Sequence, residues 1–337
     1  MEAFDYDLPL SKIAQRPVRP YDSAKMLVIN RANQLITESK FSSIEDFLNK
    51  DDVLVFNNSK VIPARFFVEF ADTKGQAEIL LVKELLNNNW VCLARPLKKF
   101  TKDRVVLIKD KIKAKVLEQR KEDIVINFDV ANKEELFSLG NMPIPPYIRK
   151  GNSDVLDKED YQSIFAKDEG SIAAPTASLH FTPELISQIR NKGINILNLT
   201  LHVGTASFLP LFKEGENEIK KPAKETYFID SNTFHNILNY KQSGKRIVAV
   251  GTTVVRALEA IASSKRVDVT EETDLFITKG FDFKFTDAMI TNFHQPKTTH
   301  LMLVEAFMGF DLLKKSYDYA LENDFRFLSY GDGMLIN

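Results

Sequence analysis

The sequence predicts an α/β fold with a mixed, partly parallel sheet, interrupted by an inserted antiparallel β-barrel domain. Three observations carry that expectation. The 337 residues exceed the ~150 typical of one domain, and 44% of them are hydrophobic, enough for more than one core. From residue 65 to 128 the chain reads as closely spaced short segments of alternating polarity. The remainder alternates helix-like and strand-like stretches, the pattern of layered α/β structure with parallel strands. Residues 1–64 and 150–337 are therefore expected to form one discontinuous α/β domain, and 65–149 the inserted barrel.

Taken in order, Ser42 and Glu45 match a capping box for a short helix carrying Ile44, Phe47 and Leu48. The apolar run 53–56 ends in polar turn formers and predicts a buried strand. Barrel strands are expected at 66–70, 77–83, 90–94, 104–108, 114–117 and 124–128. The prolines of Asn141-Met142-Pro143-Ile144-Pro145-Pro146-Tyr147 favour a stiff, extended connector out of the barrel. Thr182-Pro183 starts a helix with a capping hydroxyl and a proline at the first position, and Gly193 ends it. A strand over 194–203 follows. A helix from Asp230 or Ser231 carries Phe234, Ile237 and Leu238 and stops near Gly244. Residues 247–250 form a strand, and Gly251-Thr252-Thr253 leads into a helix that ends about Ala262.

Composition excludes several classes of protein. Lys+Arg 45 against Asp+Glu 46 gives −1, so no global positive field draws the chain to polyanions. A single cysteine, Cys92, excludes a disulfide framework and any multi-cysteine metal site, and fits a reducing compartment. Apolar runs such as 105–108 and 301–304 fall far short of the ~20 residues of a membrane span. The acidic start lacks the apolar stretch of a signal peptide, so a soluble cytoplasmic protein is expected; a monomer is expected as well. Neither a Gly-x-Gly-x-x-Gly nor a P-loop motif occurs, which disfavours dinucleotide, nucleotide and doubly wound methyltransferase sites. There is no His-Glu-x-x-His, and His294 and His300, six apart, share no helical face; no metal site is expected.

What remains is a site of hydroxyls, backbone amides, histidines and carboxylates, and four stretches offer one. Residues 170–182 combine small side chains with Ser171, Pro175, Thr176 and His180 before a helix start, where free N–H groups favour anions. In the strand 195–202, period-two alternation puts Leu197, Leu199, Leu201 and Val203 on one face and Asn198, Thr200 and His202 on the other. His202, at a strand end in a polar row, is a general-base candidate. Gly251-Thr252-Thr253 and Arg256 could present hydroxyls and amides to a carboxylate or phosphate. The fourth stretch is Thr291-Asn292-Phe293-His294, with Tyr330 and Asp332 near the end. Each is equally open to being an ordinary connection. Between Leu97 and Lys121, ten basic residues against three acidic ones give +7, a stripe that suits a nucleic-acid backbone or a solvated face.

Together these stretches resemble the S-adenosylmethionine:tRNA ribosyltransferase-isomerase family over nearly the whole chain. The resemblance lies in Asp5-Tyr6-Asp7-Leu8-Pro9, Asn57-Asn58-Ser59-Lys60-Val61-Ile62-Pro63-Ala64-Arg65 and Pro143-Ile144-Pro145-Pro146-Tyr147-Ile148-Arg149-Lys150. It continues through Ala173-Ala174-Pro175-Thr176-Ala177-Ser178-Leu179-His180-Phe181-Thr182, Leu201-His202-Val203-Gly204-Thr205, Val250-Gly251-Thr252-Thr253, Thr291-Asn292-Phe293-His294 and Tyr330-Gly331-Asp332-Gly333-Met334-Leu335-Ile336. Three positions depart from the family pattern. Ala223 in Pro222-Ala223-Lys224-Glu225 stands where the family has histidine; Gly333 replaces alanine and is expected to loosen a turn; His300 replaces an apolar residue and is taken as incidental.

The resemblance implies an α/β domain interrupted by a β-barrel, and an enzyme of queuosine biosynthesis. Its co-substrate would be S-adenosylmethionine, with no metal or bound prosthetic group. Its partner would be a tRNA carrying 7-aminomethyl-7-deazaguanine at the wobble position. The ribosyl part would be transferred and isomerised onto the aminomethyl group, giving epoxyqueuosine-tRNA, adenine and methionine. Such chemistry needs groups that titrate near neutrality, so His180, His202 and His294 are the catalytic candidates. Substrate-binding candidates are Arg65, Arg149, Ser171, Pro175, Thr176, Thr205, Glu225, Thr252, Thr253, Arg256, Asn292, Tyr330 and Asp332; Thr252 and Thr253 would take the methionine carboxylate. Lys98, Lys99, Lys102 and Arg104 are the expected tRNA contacts. Phe181 and Phe293 could exclude water, and an aromatic-walled pocket between the domains is expected for an extruded base. Two rivals remain: a non-catalytic RNA-binding protein on the same scaffold, favoured by Ala223 alone, and a methyltransferase using the same co-substrate.

Overall fold

The computed structural model describes residues 4–204 and 224–337. Thr205 and Ala223 therefore lie outside the described residues. Strands β1 (Lys25–Asn30), β2 (Leu35–Lys40), β3 (Asp52–Asn57) and β4 (Ser59–Val61) precede a six-strand run: β5 (Arg65–Phe70), β6 (Gln76–Glu84), β7 (Asn89–Arg95), β8 (Val105–Ile108), β9 (Ile112–Gln119) and β10 (Ile124–Phe128). Helices α1 (Lys133–Leu139) and α2 (Asp157–Asp160), strand β11 (Asp168–Ser171), helix α3 (Pro183–Asn191) and strand β12 (Asn195–Leu201) follow. The last third holds β13 (Glu225–Phe228), α4 (Ser231–Gln242), β14 (Arg246–Val250), α5 (Thr252–Ser264), β15 (Glu271–Thr273), β16 (Ala288–Asn292), α6 (Thr299–Met308), α7 (Phe310–Glu322) and β17 (Gly333–Ile336).

Nine strands form one mixed sheet in the order β15-β13-β12-β3-β14-β16-β17-β1-β2. Its middle, β12-β3-β14-β16, is parallel, and β1 pairs in parallel with β17. Strands β3, β14 and β17 are largely apolar on both faces because both are covered. Val53 and Val55, Ile247 and Ala249, Met289, Met334 and Ile336 point to one layer, with Val254, Leu258 and Ile261 of α5 and Leu313 and Tyr317 of α7. Their neighbours Leu54, Phe56, Val248, Val250, Ile290 and Leu335 point to the other, against Leu185, Ile186 and Ile189 of α3. The predicted α/β class with its partly parallel sheet is the fold observed.

The inserted antiparallel barrel is observed as well, closed in the order β10-β7-β6-β5-β8-β9. Closure leaves no free edge, and alternate residues such as Phe66, Val68, Phe70, Ile79, Leu81, Trp90 and Cys92 fill the interior. Helix α1, absent from the sequence reading, is started by Asn132, whose side chain accepts from the Glu135 amide at 2.9 Å.

Local signals elsewhere gave mixed results. Thr182 caps α3, accepting from the Leu185 amide at 3.1 Å, and Asp230 caps α4 through the Thr233 amide at 2.9 Å. The Ser42–Glu45 capping box does not form: residues Phe41–Phe47 are a kinked 3-10 segment without a side-chain cap. Gly333 is not in a turn but opens β17, opposite Asn292 and Met26; a Cβ there would lie 2.8 Å from the Thr291 carbonyl oxygen. No helix among the described residues is long and apolar enough to cross a membrane.

Candidate functional site

The parallel strands β3, β12, β14 and β16 end on the same side of the sheet, where open α/β folds bind their ligands. Two cavities lie there, and Val203 lines both.

The first cavity is walled by the 173–177 loop, the end of β14, the end of β16 and the segment before β17. Gly251, with φ of +102°, turns the chain from β14 into α5 in a conformation that a side chain would strain. The first turn of α5 thus faces the cavity through Thr252 and Thr253, with no side-chain cap to occupy its amides. The Thr253 hydroxyl is buried and has no hydrogen-bond partner. A buried hydroxyl left unpaired costs roughly 1–3 kcal/mol, which a ligand acceptor or donor would recover.

On the opposite wall Asn292 organises a relay. Its amide oxygen accepts from Thr176 Oγ1 at 3.0 Å, while its nitrogen faces the Leu328 carbonyl at 3.3 Å and His180 Nε2 at 3.2 Å. His180 is buried behind this wall, stacked on Phe41 with ring centroids 4.0 Å apart. Burial, with a smaller effect from Arg326, pushes its imidazole down to about 3. His294 does line the cavity, Nε2 paired with Thr291 Oγ1 at 2.8 Å, and its ring stacks on His300 at 5.3 Å. Burial holds His294 well below the usual range, assisted by His300; burial and then Arg256 bring His300 down to about 4. His300 is therefore part of the cavity wall and not incidental, because the turn before α6 folds its ring over His294.

The second cavity lies between barrel and sheet, walled by Val82, Lys83, Trp90 and Phe137 on one side and Gly170, His202, Gly204 and Glu225 on the other. His202 Nδ1 pairs with Ser59 Oγ at 2.7 Å, Ser59 with Ser171 Oγ at 2.6 Å, and Ser171 Oγ accepts from the Val203 amide at 2.9 Å. The ring lies on Gly170, where any Cβ would come within 2.8 Å of it. Burial lowers the His202 pKa, and Asp168 partly opposes this. At neutral pH it is thus a neutral, oriented proton acceptor. Glu225 is buried and held on both oxygens, by the guanidinium of Arg256 and by the Gly204 amide at 2.9 Å.

Apart from Phe293, the other sequence-predicted residues lie outside both cavities. Arg65 donates to the Ile144 carbonyl at 3.3 Å and to the Gly151 carbonyl, and pairs with Glu78 at 3.1 Å, tying the barrel to its exit segment. Arg149 binds both oxygens of Asp157 at 2.5 Å, and Tyr330 donates to the same carboxylate at 2.9 Å. Asp332 accepts from the Lys25 amide at 2.9 Å and the Arg326 amide at 2.7 Å. Phe181 and Phe293 are fully buried in the two layers, Phe293 reaching the first cavity. Lys98, Lys99 and Lys102 are exposed and make no ion pair among the described residues. Arg104, by contrast, binds Asp72 at 3.0 Å and lies 3.9 Å over the Phe70 ring. Tyr147, Tyr161 and Ser329 of the first cavity, Trp90 of the second and the buried Ser59 behind His202 carry no local signal in the sequence. Among the described residues, no group of three or more His, Cys, Asp or Glu is arranged to hold a metal.

A mixed α/β sheet with cavities at the ends of its parallel strands, and a closed barrel over one of them, defines an α/β protein with an inserted antiparallel β-barrel. The family model described as "Queuosine biosynthesis protein" matches residues 1–336. S-adenosylmethionine:tRNA ribosyltransferase-isomerase of Thermotoga petrophila is 42% identical over 335 residues, covering 99% of this chain and 98% of that protein. The protein of the same name from Finegoldia magna is 42% identical over 340 residues, covering 99% and 97%. The crystal structure of S-adenosylmethionine tRNA ribosyltransferase from Thermotoga maritima matches with a TM-score of 0.56 and 35% identity over 99% of both chains. The chain belongs to the queuosine biosynthesis protein family.

Proposed function

We propose that this protein is an S-adenosylmethionine:tRNA ribosyltransferase-isomerase. It transfers and isomerises the ribosyl part of S-adenosylmethionine onto 7-aminomethyl-7-deazaguanine at the tRNA wobble position, releasing adenine and methionine. The observation that carries the reading is whole-length membership in the family, with relatives of that name 42% identical over 99% of the chain. The first cavity fits the donor: the start of α5 and the unpartnered Thr253 hydroxyl suit the methionine carboxylate. Residues 65–149 act as an accessory domain on the tRNA side, and the protein works in the cytoplasm on tRNA.

The residues supply the chemistry through position and proton affinity. The neutral imidazoles of His202 and His294 can accept a proton at the pH where the sulfonium is stable. Apolar cover from Phe293 and Leu328 limits water at the reacting carbon. Incubation of the purified protein with S-adenosylmethionine and suitably modified tRNA tests the reading. Release of adenine and methionine is expected. S-adenosylhomocysteine would mean methylation, and binding without turnover a scaffold that has lost its chemistry.

A further inference from the structure

We propose that the cavity between barrel and sheet is the acceptor pocket, where a flat purine-like base with a cationic aminomethyl arm, extruded from tRNA, lies against Phe137 and the edge of Trp90. The proposal rests on the function given above and goes further by dividing the two substrates between two cavities.

Three features support the division. The first is adjacency: Val203 belongs to both walls, so ligands in the two cavities would meet across one side chain. The second is charge. The first cavity presents a helix start and hydroxyls, which favour an anion. The second has one buried carboxylate, Glu225, whose charge is met by Arg256, with exposed Glu84, Glu169, Lys83 and Lys224 around it. Glu225 is buried, whereas Lys83 and Lys224, paired with Glu272 at 3.2 and 3.8 Å, have side chains 63% and 65% exposed. Glu84, also on the wall, makes no ion pair among the described residues. Glu84 can meet a cationic arm at the rim of the cavity, and the exposed lysines can meet phosphates outside it. The third is shape. Trp90, 5% exposed at the end of the barrel core, and the half-buried Phe137 meet edge to face at 6.1 Å, so the cavity is lined by Phe137 and the edge of Trp90.

His202 completes the pocket. Its Nδ1 is engaged by Ser59, so Nε2 is the atom left for a ligand. An aminomethyl group is an ammonium at neutral pH and must lose a proton before its nitrogen can attack. Nε2 would take that proton, giving an imidazolium and a neutral amine with no other group required.

Trp90 is the single tryptophan of the chain, so its fluorescence, excited where only tryptophan absorbs, reports on this cavity alone. Free 7-aminomethyl-7-deazaguanine and tRNA carrying it are expected to quench Trp90, while S-adenosylhomocysteine leaves the emission unchanged. A response to S-adenosylhomocysteine with none to the base, or calorimetric binding of the base with silent fluorescence, overturns the assignment. Val82→Phe, which fills the cavity from a partly exposed strand position, should raise the tRNA Michaelis constant about tenfold or more and leave the S-adenosylhomocysteine Kd unchanged. The reverse pattern overturns the proposal, and the melting temperature shows whether the variant is folded. Adenine release without base-dependent quenching defeats the pocket assignment alone. Quenching by the base without adenine release defeats the activity and leaves the pocket standing.

Discussion

Asn292 donates its amide N–H to His180 Nε2 across 3.2 Å, and the direction of that bond is fixed by a third group. The Leu328 carbonyl, 3.3 Å from the same nitrogen, can only accept, and Thr176 Oγ1 donates to the amide oxygen at 3.0 Å. His180 must therefore accept at Nε2 as a neutral imidazole, in accord with the burial that lowers its pKa to about 3. His180 is a positioning residue for Asn292, which itself lines the first cavity.

Asn292→Asp should break this arrangement, because a carboxylate oxygen would face two acceptors. Leaving such groups unpaired costs roughly 1–3 kcal/mol. A fall in melting temperature of several degrees is expected, with weaker S-adenosylhomocysteine binding by calorimetry. A variant with unchanged stability and donor affinity would show that the Thr176–Asn292–His180 relay orients nothing.

His202→Ala tests the base. Removing a general acid or base typically lowers rate by ~10²–10⁴, so turnover should fall at least about a hundredfold. Melting temperature and tRNA affinity should stay near those of the unsubstituted protein, since the ring is only half-buried and lies on Gly170. A large loss of stability with near-normal turnover at low temperature would make His202 a structural anchor for Ser59 instead.

What was legible in the sequence was local. Alternation along β12 put Leu199, Leu201 and Val203 in the main core, and Thr182-Pro183 marked the start of α3, because pattern and cap act within a few residues. Asn132 with Glu135 carried the same kind of signal for α1. The sites were less legible because their pairs are distant in the chain. Ser59 and His202 are 143 positions apart, and Asn292 and His180 are 112 apart. The His294–His300 stack depends on a turn between strand and helix that residue spacing does not encode, and Gly333 reads as a turn former until its pairing with β1 and β16 is known.

The basic stripe of the barrel separates into two kinds of residue. Lys98, Lys99 and Lys102 are exposed and without carboxylate partners among the described residues, whereas Arg104 is bound to Asp72 and packed on Phe70. Replacing the three lysines with alanine should raise the tRNA Michaelis constant more than it lowers maximal turnover. It should also flatten the salt dependence of binding by up to ~0.7–0.9 in log–log slope per lost phosphate contact. Arg104→Ala should act on the barrel's stability and leave the slope largely intact. An unchanged slope in the triple variant would make those lysines a solvated surface.

Acid should destabilise the protein before its carboxylates begin to titrate. His180 and His300 have pKa values pushed down to about 3 and about 4, chiefly by burial, against roughly 6.5 in an unfolded chain. Below pH 6.5 the unfolded chain therefore binds protons that the folded chain refuses, and stability falls as pH falls. The stability is complete above about pH 6.5 and is lost progressively as the pH drops toward the folded values. The slope is at most about 1.4 kcal/mol per pH unit for a fully buried group, and less for half-buried His300. Asp332, whose carboxyl burial raises, works in the opposite sense and mostly at lower pH. Urea unfolding between about pH 7.5 and 5 should show this decline, and His300→Leu should flatten it without loss of stability at the upper end. A profile just as steep in His300→Leu would mean that its imidazole already titrates normally in the folded protein.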